Sequence, residues 1–165
     1  MYELMLITAA LSWVTDCVSL INREAVLHND TYVNELIVAI PMGIHLANVI
    51  NEVERTDEEN LDRCALTIAV ARYESTFNIG ARNKTCLGMF QITPSTAKDI
   101  IKDLSFLTGP LKDKILTPVA GTCIFSLLMD AFIKKQHTVY RALVRYNNSE
   151  RISKRILKYY KELRK

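Results

Sequence analysis

Three helix-opening signatures, set along a chain in which strand-like alternation is scarce, restrict this sequence to an all-α fold. Thr56-Asp57-Glu58-Glu59 fits a capping box, in which a threonine and a glutamate three positions on satisfy each other's backbone amides. Thr93-Pro94 and Thr117-Pro118 share a second device: a hydroxyl at the N-cap, then proline at the first helical position, where its missing N–H costs nothing. Behind each signature, apolar residues recur at helical spacing. Leu61, Ala65 and Ile68 line the first helix, Ala97, Ile100, Ile101 and Leu104 the second, and Cys123, Phe125, Leu127, Leu128, Ala131 and Phe132 the third. Upstream, Asn29, Asp30 and Thr31 can cap a helix through residues 36–40, which Pro41 and Gly43 are expected to interrupt or kink. Residues 102–116 read as a loop around Gly109-Pro110.

A chain of 165 residues suits one domain with a core of its own, and 49% hydrophobic with 24% charged residues excludes disordered and collagen-like classes. No apolar run stands out at the length that spans a bilayer, so stable membrane insertion is not expected. Residues 4–14 are apolar like a secretory signal, but Glu3 stands where a basic flank belongs and no small-x-small site follows before Asp16. A helix of the mature protein, made in the cytoplasm without a signal, is the expectation. Residues 1–55 carry no chemical motif and are expected to form an N-terminal helical extension packed on a domain of residues 56–165.

Cys17, Cys64, Cys86 and Cys123 show neither a CxxC pair nor a histidine at ligand spacing, so no metal and no cofactor is expected. A domain of this size needs no staples, and buried free thiols in a reducing compartment are the expectation. Charge is uneven: residues 134–165 hold eleven Lys and Arg against two Glu, net +9. Ile152, Ile156, Leu157, Tyr160 and Leu163 mark the packed face of this basic terminal helix. The other face is solvated or attracts an anionic polymer; no nucleic-acid-binding module accompanies it, so nucleic acid is not an expected partner.

The chemistry gathers between Ala71 and Ala97, where polar residues fall at helix ends and turns. Glu74 follows a run of small and apolar residues near a helix end. Partial burial and the negative end of the helix both disfavour its charged form, so its pKa should rise and it could donate a proton near neutrality. The alternative is an ordinary helix-end glutamate paired with Arg72 or Arg82.

Three ordered segments add a resemblance. Glu74-Ser75-x-Phe77-Asn78, then residues 88–97 (GMFQITPSTA), then Val144-Arg145-Tyr146-Asn147-Asn148 resemble the ESxFN, GLMQIMPxTA and AYNAG motifs of the soluble lytic transglycosylase family, over residues 65 to about 150. The resemblance implies a lysozyme-like fold and cleavage of the β-1,4 bond between N-acetylmuramic acid and N-acetylglucosamine in peptidoglycan. Glu74 would be the single general acid and base, giving 1,6-anhydromuramyl ends with help from the substrate's acetamido group, outside the two-carboxylate scheme. Gln91 would bind substrate, and the Tyr146 hydroxyl would approach the Glu74 carboxyl. Ser75 and Asn83 would complete the substrate side, Ser75 bracing the backbone and Asn147 the loop after Tyr146; Phe77, Met89 and Phe90 would form apolar walls, and Gly88 would permit a close turn. The implied partners are glycan strands and virion or secretion-machinery proteins, in a phage wall-penetration or lysis enzyme acting on the periplasmic cell wall. The chain departs from the pattern: the segment between Glu74 and Gln91 is one residue short, Asn83 replaces a serine, Thr93 a methionine, Thr117 an asparagine, Ile124 an aromatic and Ser149 a glycine. A muramidase-type hydrolase would need a second acid, for which Asp99 and Asp103 are the candidates. A wall-binding or structural protein without turnover is the remaining alternative.

Overall fold

The computed structural model describes residues 2–165, with side chains from Ser12 onward, and is all-α. Helices α1 (Tyr2–His28), α2 (Val33–Ile50), α3 (Asp57–Ser75), α4 (Pro94–Ile100), α5 (Leu111–Ile115), α6 (Pro118–Gln136), α7 (Val139–Asn147) and α8 (Glu150–Leu163) follow in order, with a 3₁₀ turn at Asp30–Tyr32. Residues 102–116 are therefore not all loop, because α5 opens directly after Pro110.

Two helices form the axis of the core. From Gly121 to Met129 every residue of α6 is buried, and so is every residue of α3 from Cys64 to Ala71. A helix enclosed on all faces must be small or apolar all round, which both stretches are. Around this axis α2 packs on α6, α1 on α3, and α7 and α8 close the far side.

Where α2 meets α6 the backbones touch. A Cβ added at Gly43 would lie 2.5 Å from Thr122 Cβ and 2.9 Å from the Cys123 amide. Pro41 neither ends nor divides α2, which runs unbroken to Ile50. The segment Asp30–Ile50 is also long and apolar enough to span a bilayer, contrary to expectation, with a mean hydropathy of 1.6. One face nevertheless belongs to the core, through Leu36, Ile40, Ile44 and Ala47. Val38, Met42, Leu46 and Val49 lie exposed on the other.

The capping box at Thr56 forms as expected: Glu59 N–H donates to Thr56 Oγ1 at 3.2 Å and Thr56 N–H to Glu59 Oε2 at 2.8 Å. Thr93 and Thr117 do precede helices opened by proline, but neither hydroxyl caps its helix. Thr117 Oγ1 instead donates to the Asp113 carbonyl at 3.1 Å.

Cys17 and Cys64 are not free thiols; they form a disulfide that joins α1 to α3 across 47 residues of sequence. Helix packing brings the two Cα atoms to 5.9 Å, a proximity that cysteine spacing does not reveal. Cys86 and Cys123 remain thiols. In α8 the packed face is Ser153, Ile156, Tyr159, Tyr160 and Leu163; Tyr159 joins it although it was not expected there, and Ile152, expected there, is exposed. Tyr159 is drawn in by polar partners on two helices: its hydroxyl donates to Glu24 of α1, and its ring lies 4.1 Å under the Arg72 guanidinium of α3.

The contact at Gly43 generates a prediction whose sign is diagnostic. Alanine in a helix interior normally stabilises by about 1 kcal/mol relative to glycine. Gly43→Ala should instead destabilise by roughly 1–3 kcal/mol, because the α2–α6 contact must open to admit the methyl group. Chemical denaturation of the two proteins measures the difference.

Candidate active site

The site is built where α3 ends. Glu74 is the penultimate residue of that helix, and the chain leaves it through two successive non-glycine residues in the left-handed region, Thr76 at φ 52° and Phe77 at φ 61°. The helix stops before Asn78 and Gly80, the residue types that commonly end one. Such a turn costs roughly 1 kcal/mol or more per residue and persists only where its surroundings impose it. Phe77 is fully buried, and Thr76 N–H closes the helix onto the Arg72 carbonyl at 3.0 Å. The N-terminal segment supports the turn from outside: Asn29 Nδ2 donates to the Thr76 carbonyl at 3.0 Å, and the His28 ring stacks on Phe77 with centroids 6.5 Å apart.

Ser75 joins this turn to the second motif. Its hydroxyl donates to the Met89 carbonyl at 2.7 Å and accepts from Asn78 N–H at 3.0 Å. The second motif is itself a tight reversal, with Leu87 and Ile92 exchanging both backbone hydrogen bonds at 2.9 Å. Gly88 sits in it at φ 76°, against the Ile115 carbonyl, where a Cβ would approach to 2.7 Å. Here glycine is required twice over, by conformation and by space.

Gln91 crowns the reversal at φ 50°. Its Nε2 donates to the Gly88 carbonyl at 3.0 Å, and its Oε1 accepts from Asn83 Nδ2 at 2.8 Å. Asn83 thus holds Gln91, while its own Oδ1 accepts from the amides of Thr85 and Cys86 at 2.9 and 2.7 Å. Each Gln91 group still has hydrogen-bonding capacity for a ligand: one N–H and one lone pair.

The three expected wall residues, the fully buried Phe77 included, are not walls. Met89 and Phe90 are buried, and Phe90 stacks on Phe125 with centroids 4.3 Å apart, so their side chains pack the core. Asn147 braces the chain after Tyr146: its Oδ1 accepts from Ser149 N–H at 3.0 Å and from Ser153 Oγ at 3.1 Å, at the start of α8. Tyr146 reaches the site by another route than expected. Its hydroxyl donates to the Phe90 carbonyl at 2.5 Å and not to the Glu74 carboxyl. Its ring meets Phe125 edge-on at 5.5 Å. Burial, then the charge of Glu74, then that of Cys86, push the Tyr146 hydroxyl well above the ordinary tyrosine range. Tyr146, Glu74 and Cys86 therefore share one electrostatic neighbourhood. Cys86, which no motif singled out, belongs to it as a half-buried thiol whose sulfur lies 3.4 Å from Thr93 Oγ1.

Glu74 itself is half-buried, and burial pushes its carboxyl up to about 7. Neither Arg72 nor Arg82 pairs with it: among the described residues no ion pair or hydrogen bond to its carboxyl is formed, and Arg72 is spent on Tyr159. A carboxyl that is desolvated but not neutralised by a cation keeps its proton near neutrality and can deliver it. Asp99 and Asp103 are both exposed, and Asp103 accepts Ser105 N–H at 2.8 Å; the Ser105 side chain first and its backbone second hold the Asp103 carboxyl below its ordinary range. Among the described residues no cluster of His, Cys, Asp and Glu could hold a metal.

The end of α3 thus carries a half-buried glutamate without a cation partner, tied through Ser75 to a tight, glutamine-bearing reversal, in an all-α domain of lysozyme-like class. The family model for the transglycosylase SLT domain matches residues 52–165, and the chain belongs to that family, whose chemistry is lytic cleavage of peptidoglycan. No curated protein and no solved structure matches the chain significantly.

The raised Glu74 pKa carries a stability signature. Between the ordinary value of 4.5 and about 7 the folded chain binds more protons than the unfolded chain, so ionisation of this group lowers stability as pH rises through that window. Glu74→Gln should therefore be more stable than wild type, by a margin that grows from pH 4.5 to about 7 and then levels off. Thermal melts of both proteins across that range read the effect, and a margin independent of pH would contradict it.

Proposed function

We propose that this chain is a lytic transglycosylase that cuts the bond between N-acetylmuramic acid and N-acetylglucosamine with Glu74 as its single general acid and base. The carrying observation is the desolvated, cation-free carboxyl at the end of α3, held near pKa 7. In the first half of the reaction Glu74 gives its proton to the glycosidic oxygen as the C1–O bond breaks, and the muramyl acetamido group stabilises C1. In the second half the Glu74 carboxylate takes the proton of the muramyl C6 hydroxyl, whose oxygen closes on C1. Protons balance, no water is consumed, and the product is a 1,6-anhydromuramyl end.

Separate residues support separate steps of this reading. Gln91, fixed by Asn83 and Gly88, offers its free amide valences to the glycan. Tyr146 acts through the backbone: by holding the Phe90 carbonyl it sets the position of the neighbouring Gln91. The exposed positions of Asp99 and Asp103 favour the anhydro product over hydrolysis, which would need a second acid to position water.

The reading extends to place. A disulfide between Cys17 and Cys64 persists where thiols are oxidised, which supports action in the wall space. Delivery on a virion and service to a secretion machinery both end there; the bond would close on arrival in the first case and during export in the second.

Glu74→Gln should abolish release of soluble fragments from purified peptidoglycan. Wild-type activity should fall as pH rises above about 7, where the acid loses its proton. Mass spectrometry of the fragments decides the chemistry: anhydromuramyl ends are expected, reducing muramyl ends would make the protein a hydrolase, and intact peptidoglycan would make it a wall-binding protein.

A further inference from the structure

The segments that carry α1 and α3 are joined at two places in one register. Cys17 is bonded to Cys64, and twelve residues further along each segment Asn29 Nδ2 donates to the Thr76 carbonyl at 3.0 Å. The two helices therefore run parallel, with the joints roughly 18 Å apart at the helical rise. At the second joint His28 also stacks on Phe77, and Glu74 lies two residues before Thr76. Cys17, His28 and Asn29 all precede the matched region, which begins at residue 52.

The joints fix what the contact between them leaves loose. There α1 turns Ile21 and Ala25 into the core, and burial of apolar surface is non-directional, so it resists a small slide weakly. Glu24, also between the joints, accepts the Tyr159 hydroxyl of α8 and not a donor of α3. A slide of α1 by one residue moves Asn29 by about 1.5 Å, enough to take its bond to Thr76 out of hydrogen-bonding range. The covalent joint at Cys17 forbids that slide. The turn at the other end needs the support, because Thr76 and Phe77 are both left-handed without being glycine. Released, it lets the last turn of α3 fray, and Glu74 with it.

We propose that the Cys17–Cys64 pair is a switch on the catalytic site: as a disulfide it locks Asn29 in place as a positioning residue behind Glu74, and as two thiols it leaves Glu74 poorly held. The inference rests on the reading of Glu74 as the acid and adds its regulation. Closure is a thiol–disulfide exchange, in which the two thiols give two electrons and two protons to the disulfide of an oxidant, which leaves as two thiols. Both sulfurs are fully buried, so the closed bond is shielded from soluble thiols and the switch is set once. The chain is thus held weak among reduced thiols and gains its activity where they are oxidised.

The test compares the full chain made and kept in a phosphine reductant with the oxidised chain. On purified peptidoglycan the reduced chain should show kcat lower by about tenfold or more at an unchanged KM. Asn29→Ser isolates the second joint: serine keeps the cap that Asn29 Oδ1 forms by accepting Thr31 N–H at 3.2 Å, and loses the bond to Thr76. Oxidised Asn29→Ser should match the reduced wild type, and reduction should lower its kcat no further. Amide hydrogen exchange reads the coupling without turnover. The Thr76 and Phe77 amides, bonded to the Arg72 and Ala71 carbonyls at 3.0 and 3.2 Å, should exchange faster in reduced wild type and in oxidised Asn29→Ser, while the amides of residues 68–70 stay protected. Equal kcat in the two redox states, an equal further loss on reducing Asn29→Ser, or faster exchange along the whole of α3, which would mean unfolding, would each overturn the proposal. If exchange at Thr76 and Phe77 follows the bond as described while neither form cuts peptidoglycan, the coupling stands and the catalytic reading of Glu74 fails.

Discussion

The enclosure of α3 governs this structure. Its residues from Cys64 to Ala71 are buried on every side, so the helix can neither roll nor slide without opening the core on several faces at once. Glu74 rides one turn beyond that enclosed stretch and inherits its rigidity. The same packing withdraws water from the carboxyl without supplying a cation, and burial therefore raises its pKa. Position and proton affinity thus have one origin. Polar locks fix the exposed face of the same helix: Asp62 accepts the Tyr160 hydroxyl at 2.6 Å and pairs with Arg164 at 2.5 Å, which ties α8 down. Asp130 on α6 receives Arg55 at 2.9 Å and Arg63 at 3.0 Å, which ties the entry of α3 to the axis helix.

The helices that precede the family match at residue 52 are part of this arrangement. α2 supplies the face on which α6 rests at Gly43, and α1 is bonded to α3 through Cys17 and Cys64. Their junction also reaches the site, since His28 and Asn29 hold the left-handed turn that follows Glu74. That turn has no glycine to relieve it, so outside support is a physical requirement there.

Much of this was legible in the chain. Capping residues act within four positions of themselves, which is why the openings of α3, α4 and α6 could be read from Thr56, Pro94 and Pro118. The desolvation of Glu74 was legible too, because the small and apolar run before it can only be a buried helix. What escaped depends on distant partners. Cys17 and Cys64 meet because two helices pack; Tyr159 turns inward because Glu24 and Arg72 receive it; Pro41 stays inside α2 because the core on α6 outweighs its local preference. The Tyr146 hydroxyl belongs to the same class. Motif likeness located the residue, but the hydrogen-bond partner is a backbone carbonyl, which carries no side-chain signature.

That carbonyl explains how the second motif keeps its shape although Thr93 replaces a methionine within it. That replacement changes a side chain, whereas the reversal is held by main-chain atoms: the exchange between Leu87 and Ile92, the Met89 carbonyl under Ser75 and the Phe90 carbonyl under Tyr146. Gly88 is the exception, since its place against the Ile115 carbonyl admits no side chain. Asn83 fits the same logic. It lies in the shortened segment, and its amide bridges two backbone N–H groups and the Gln91 side chain, so one residue does the bracing that a longer loop would distribute over several. A reversal framed by the backbone can vary its side chains while Glu74 and Gln91 keep their places.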